Sequence, residues 1–169
     1  MNKDHVAMTQ ALKLAREALD AGEFPVGCVI TLDADILAAS RRETSIGTLP
    51  SEITHAEILA LRQLEQILPM NERKNATLYT TLEPCLMCYA AILLSGLGRI
   101  VWAYEDAMGG GTNCNLHEDL PPFYASRQPE IRSHFLREAS LSLFKLFFSN
   151  PKNSYWKDSP LARYTLAAP

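Results

Sequence analysis

Two short segments constrain this chain more than the rest of it: His55-Ala56-Glu57, and further on Pro84-Cys85-Leu86-Met87-Cys88. One imidazole, two thiols and one unattached carboxylate are the parts needed to bind zinc and to activate a water molecule on it. They work together only if the fold brings two separate helix starts side by side. Cysteines three apart on a helix share a face, so Cys85 and Cys88 can grip one ion. Pro84 places Cys85 at a helix N-terminus, where free amides and the helix dipole favour the thiolate. His55 completes a three-ligand set, which leaves a fourth tetrahedral position open for water. Glu57 lies two residues from His55, off the ligand's face, and is placed to reach that water as a proton shuttle.

A closed structural zinc is the competing reading of a Cys-x-x-Cys pair, and it needs a fourth ligand. His5, His117, His134 and Cys114 could supply one in principle, but none has paired spacing with another. Cys28, inside the apolar run Val26–Ile30, reads as a small core residue, and Cys114 as an ordinary loop cysteine. Four cysteines in 169 residues are too few for a disulfide scaffold.

Hydrophobic periodicity places the motifs on elements. Met8, Ala11, Leu12, Ala15, Ala18 and Leu19 mark an amphipathic helix stopped by Gly22. Val26–Leu32 and Ile36–Ala39 read as strands joined by a turn at Asp33-Ala34-Asp35. A polar loop, Ser40–Thr54, leads to a helix over His55–Leu68. Ala76–Leu82 is a strand, Cys85 to about Ser95 a helix, and Arg99–Tyr104 another strand. Gly109-Gly110-Gly111 and Pro121-Pro122 read as plain connection. Glu130–Phe135 is a last strand and Leu136–Phe148 a closing helix whose aromatic stripe belongs to the core. Strands alternating with helices predict a mixed α/β layer. The tail, Asn150–Pro169, is polar and aromatic enough to be an arm over a neighbouring subunit.

Composition narrows the setting. With 47% hydrophobic and 21% charged residues the chain fits one compact domain over 1–169. No apolar run approaches the ~20 residues of a membrane span, and the start lacks a signal-peptide layout, so a cytoplasmic protein without membrane attachment is expected. A net charge of -3 gives no global attraction to a phosphate backbone.

These residues resemble the cytidine deaminase-like superfamily of zinc-dependent deaminases, and within it the branch of bacterial tRNA adenosine deaminases and guanine deaminases. The likeness is carried by Phe24-Pro25-Val26-Gly27, His55-Ala56-Glu57-Ile58-Leu59-Ala60-Leu61 and Leu78-Tyr79-Thr80-Thr81-Leu82-Glu83-Pro84-Cys85-Leu86-Met87-Cys88, and extends over about residues 8 to 148. It implies a three-layer sandwich, a five-stranded mixed sheet with helices on both faces, usually as a homodimer or larger assembly. It implies one zinc per chain on His55, Cys85 and Cys88, with Glu57 as catalytic residue. Hydroxide would attack the ring carbon bearing an exocyclic amine, and ammonia would leave.

Relatives commonly carry an asparagine in the loop before His-x-Glu that reads the base, and Ser40–Thr54 contains none. Arg41, Arg42 and Thr44 are the nearest stand-ins for substrate binding. A guanidinium only donates hydrogen bonds, so the recognised ring edge would differ; the alternative is that both arginines point to solvent. The tail offers Lys152, Lys157 and Arg163 against Asp158, too scattered to follow a phosphate backbone. The expected substrate is therefore a small aminated heterocycle, a purine-type nucleobase or nucleoside. The alternatives are tRNA adenosine, with nucleic acid as partner, and an idle zinc-stabilised assembly module, which would have no need of Glu57.

Overall fold

The computed structural model describes residues 2–114 and 121–169. Helix α1 (Lys3–Asp20) is capped by the Asn2 side chain, which accepts the Asp4 N–H, and ends where Gly22 turns left-handed at φ 81°. Strands β1 (Gly27–Leu32) and β2 (Asp35–Arg41) form a hairpin, followed by α2 (Ala56–Glu65) and β3 (Ala76–Leu82). Then come α3 (Leu86–Ser95), β4 (Arg99–Tyr104), the single turn α4 (Pro122–Ala125), β5 (Glu130–Arg132), α5 (Arg137–Ser149) and α6 (Pro160–Ala167).

The five strands form one sheet in the order β2-β1-β3-β4-β5. β1 is antiparallel to both its neighbours, whereas β3, β4 and β5 run parallel, so the sheet is mixed. Alternation along the strands sorts the core into two layers. Val29, Tyr79, Val101 and Ala103 meet Ala7, Met8 and Ala11 of α1 on one face. Cys28, Ile30, Leu78, Ile100 and Trp102 meet Ala60, Leu64, Ile92 and Leu93 of α2 and α3 on the other. This is the expected sandwich with helices on both faces. Gly27 lets α1 lie directly on β1: a Cβ there would overlap the Ala11 carbonyl oxygen. Among the described residues no helix is long and apolar enough to cross a membrane.

Differences from the expected elements have local causes. The α2 helix stops at Glu65, not Leu68, since Pro69 follows and disfavours helical backbone just before it; Leu68 remains buried. Pairing in β5 ends at Arg132 because His134 and Leu136 take left-handed φ values of 58° and 56° and turn the chain into α5. The aromatic stripe of α5 is core, with Leu143, Phe144 and Phe147 buried. The tail packs on its own chain through α6. In α6, Leu161, Ala162 and Thr165 are buried, Thr165 Oγ1 is 2.9 Å from the Tyr104 hydroxyl, and Lys145 Nζ donates to the Ala168 carbonyl at 2.8 Å.

One partly buried ionic cluster fastens α1 to the sheet. The Asp4 carboxylate accepts from Tyr79 at 2.8 Å, from both terminal nitrogens of Arg99 at 2.7 and 2.9 Å, and from Arg132. The Arg99 hydrogen bonds hold its pKa far below the usual carboxylate range, against its burial. A depressed carboxylate contributes stability that is present above its unfolded pKa and is lost as pH falls towards the folded one. Asp4→Asn should therefore cost about 1.5 kcal/mol at neutral pH, because the partly exposed Arg99 and Arg132 lose charge-assisted hydrogen bonds while Arg99 keeps Glu130. In denaturant titrations the gap to wild type should close below about pH 4, where the unfolded carboxylate titrates; a gap that does not change with pH would show that packing, not charge, is lost.

Candidate active site

The two motifs converge at one corner of the sheet. His55 is the N-cap of α2 and Cys85 the N-cap of α3; both have extended backbone, and neither side chain is spent on capping its helix. His55 Nδ1 lies 3.6 Å from Cys85 Sγ and 3.3 Å from Cys88 Sγ. Two ligands of a tetrahedral zinc, one nitrogen and one sulfur at ordinary bond lengths, stand about 3.6 Å apart. The spacing thus fits one ion, and all three ligand atoms lie within 4.8 Å of one another. Among the described residues this is the one such group. His5 and His134 lie elsewhere: His5 Nδ1 is 3.4 Å from the Thr9 hydroxyl, and His134 packs edge-on against Trp102. Cys114 is an exposed loop residue, and His117 falls outside the described residues. Cys28 is wholly buried in the core beneath the site.

Glu57 is the second residue of α2, in its first turn, and is only 3% exposed. Thr80 of β3 donates to its Oε1 at 2.8 Å, and Cys88 Sγ approaches Oε2 at 3.6 Å. Burial raises its pKa, against the opposing charge of His55. The thiols are pushed apart: a hydrogen bond with Cys88 brings Cys85 down to about 4, against its burial, while that same bond and burial push Cys88 far up. Burial disfavours a charged His55, yet the Cys85 hydrogen bond and the Glu57 charge raise its pKa overall. A cation seated among these groups draws both thiols to thiolate.

The corner is braced from the loop after β4. The Gly111 N–H donates to the Pro84 carbonyl at 2.9 Å, and Gly110 forms a bridge with Cys85. A Cβ on Gly111 would stand 2.7 Å from Leu86 Cα, so only glycine allows that approach. Glu83, buried beside the metal ligands, accepts from the Asp106 N–H at 3.3 Å and the Thr112 N–H at 3.2 Å, pinning the same loop. The glycine run, expected as plain connection, is thus part of the site, because the Cys85 turn needs backbone partners that only a side-chain-free segment can bring close.

A cavity of about 200 Å³ opens onto His55, Glu57 and Cys85, walled by Phe24, Val26, Leu82, Asp106, Met108, Tyr155, Trp156 and Leu161. Of the three stand-ins expected for substrate binding, only Arg42 lines it. Arg42 does not point to solvent: it is 2% exposed, and its guanidinium donates to the carbonyls of Thr54, at 2.5 Å, and Ser51. Those bonds fold the Ser51–Thr54 loop onto the start of α2. Arg41 is turned to the surface, paired with Glu17 at 3.0 Å and Glu43 at 3.6 Å, and Thr44 stands outside the lining. Sequence reasoning missed the tail residues Tyr155, Trp156 and Leu161, along with Glu52, Asp106 and Met108. Glu83 alone carried a signal, as a buried-side acid fixed next to Pro84-Cys85.

Comparison with known proteins agrees with this geometry. The chain is 35% identical over 152 residues to the tRNA-specific adenosine deaminase of Bacillus subtilis, covering 88% of this chain and 90% of that one. It is 36% identical over 152 residues to that of Rickettsia typhi, covering 87% and 99%. Among solved structures, one from studies of A-to-I editing by tRNA:A34 deaminases superposes with a TM-score of 0.67 at 30% identity, over 82% of this chain and 99% of that one. The guanine deaminase of Nitrosomonas europaea shares the fold, with a TM-score of 0.62 at 20% identity over 83% and 82%. Residues 1–104 match the cytidine and deoxycytidylate deaminase zinc-binding region, and the chain belongs to that family of zinc-dependent deaminases.

Proposed function

We propose that this chain hydrolyses the exocyclic amine of adenosine carried in tRNA, leaving inosine and releasing ammonia. The observation that carries the reading is the likeness, at about a third of positions and over nearly the whole length, to relatives named for that activity. It favours tRNA over the free purine-type base or nucleoside put first by the sequence. The overall negative charge weighed there says little about local patches, which decide contacts to a strand. The homodimer implied by the resemblance belongs to the same reading.

The residues divide the work as follows. His55, Cys85 and Cys88 would hold zinc, which supplies a water whose pKa falls from 15.7 to roughly 7. Glu57 takes a proton from the attacking water and delivers it to the departing nitrogen, so that one C–O bond forms, one C–N bond breaks and the amine leaves as ammonia. Thr80 fixes Oε1, which keeps Oε2 turned towards the ligands. Phe24, Val26 and Leu82 give the ring apolar walls that exclude bulk water.

A second reading, deamination of a small free purine, is favoured by the cavity itself. At about 200 Å³ it has room for one heterocycle and lies below the usual 300–1,000 Å³ of drug-sized ligand sites. Ammonia release measured on an anticodon stem-loop with adenosine at the wobble position, and in parallel on adenosine, guanine and cytosine, separates the two. We expect turnover of the stem-loop; turnover confined to free bases would overturn the tRNA assignment and leave the deaminase chemistry standing.

A further inference from the structure

The zinc-corner cavity is not the only hollow at this end of the molecule. An outer cleft of about 420 Å³, between the Ser45–Pro50 loop and Ser154, lies against it, and both hollows count Glu52, Tyr155 and Trp156 among their walls. These three residues form a partition: Glu52 comes from the loop before α2, and the two aromatics come from the turn between α5 and α6.

The partition is tied rather than loosely laid. The Tyr155 hydroxyl donates to Glu52 Oε2 at 2.9 Å and lies 3.4 Å from an Arg42 terminal nitrogen. Its ring meets Phe24 edge-on at 5.4 Å and Trp156 at 5.8 Å. On one side Asn153 Oδ1 accepts the Tyr155 N–H at 2.9 Å, and on the other Ser159 caps α6. Between these ties Trp156 and Asp158 hold left-handed backbone, φ 51° and 64°, which non-glycine residues adopt at a cost and keep only where the surroundings impose it. Among the described residues the outer cleft has no lysine or arginine in its lining, so nothing there greets a phosphate.

We propose that Tyr155 and Trp156 are specificity-determining residues that sort substrates by what the amine-bearing ring is attached to. A free ring, or one carrying a single sugar, enters with the partition in place and gains its aromatic wall. A nucleotide inside a strand continues on both sides of its sugar and reaches Glu57 only by displacing the partition. The inference rests on the zinc corner being a deaminase centre, but not on which substrate is the natural one.

The test compares wild type with Tyr155→Ala, Trp156→Ala and Tyr155→Phe, each checked for unchanged zinc content. In the alanine variants the ratio of kcat/KM for the stem-loop to that for adenosine should rise about ten-fold or more. Tyr155→Phe, which keeps the ring and loses the Glu52 and Arg42 ties, should give a smaller rise. Calorimetric titration with purine, which has no amine to lose, should show its affinity weakened several-fold in the alanine variants. Should wild type deaminate none of these compounds, the proposed function fails and the purine titration still decides the wall. An unchanged ratio with unchanged purine affinity would overturn the inference. So would a fall in stem-loop turnover, since the aromatic pair would then be holding the strand rather than barring it.

Discussion

Glu57→Gln should lower ammonia release by about 10³-fold or more while leaving one zinc per chain. General acid–base groups contribute typically 10²–10⁴-fold, and this carboxylate is asked to move protons both in attack and in departure of the amine. The substitution is chosen to isolate that role. A glutamine has the same length and shape, its amide oxygen can keep the hydrogen bond from Thr80 that now measures 2.8 Å, and it cannot carry a proton between water and nitrogen. Nor should the fold suffer: at 3% exposure the carboxylate is an expensive group to ionise, and a neutral amide in its place removes that cost. Thermal unfolding of the variant should therefore be no earlier than that of wild type under chelation. Turnover within ten-fold of wild type would remove Glu57 from the chemistry.

The legibility of this molecule follows the range over which its information is written. The helices, the first four strands and the ligand-bearing turns are encoded by neighbours a few residues apart. Ala76–Leu82 and Arg99–Tyr104 emerge with the bounds that their apolar runs suggest, and Gly96, left-handed at φ 80°, ends α3 where its position implies. The metal group is legible for the same reason: Cys85 and Cys88 share one helical turn, and only His55 must arrive from elsewhere. What surrounds the metal group was not legible. Tyr155 and Trp156 belong to a tail with no helical or strand periodicity around them, and their place beside Glu52 depends on how α5 and α6 fold back on the sheet. Arg42 was legible only in part. Its type suggested a donor for substrate or a solvated charge, yet a long side chain with five donors serves equally well to gather loop carbonyls, and here it gathers those of Ser51 and Thr54. Where relatives carry an asparagine, the loop here is built around a buried cation that also lines the cavity.

Cys88→Ser carries the largest expected effect on metal content: bound zinc should fall from one per chain to below a tenth, with turnover lost alongside it. The thiol is fully buried, and a serine of nearly the same size would meet the same neighbours, with Glu57 Oε2 available to accept its hydroxyl proton. The packing change is therefore small, and the loss must come through coordination. A serine hydroxyl stays protonated where a thiol gives up its proton to the metal, so the ion would be left with His55 and Cys85 alone. Because the metal binds the folded chain, its loss has a second signature. Zinc at a hundred times its dissociation constant stabilises the native state by about 2.7 kcal/mol. Wild type should show a Tm that drops on chelation and recovers on addition of zinc, whereas Cys88→Ser should have the chelated Tm throughout and ignore both reagents. That comparison separates a lost ligand from a damaged core. A variant destabilised by packing alone would start lower but would still respond to zinc, and a variant that keeps stoichiometric metal would remove Cys88 from the ligand set.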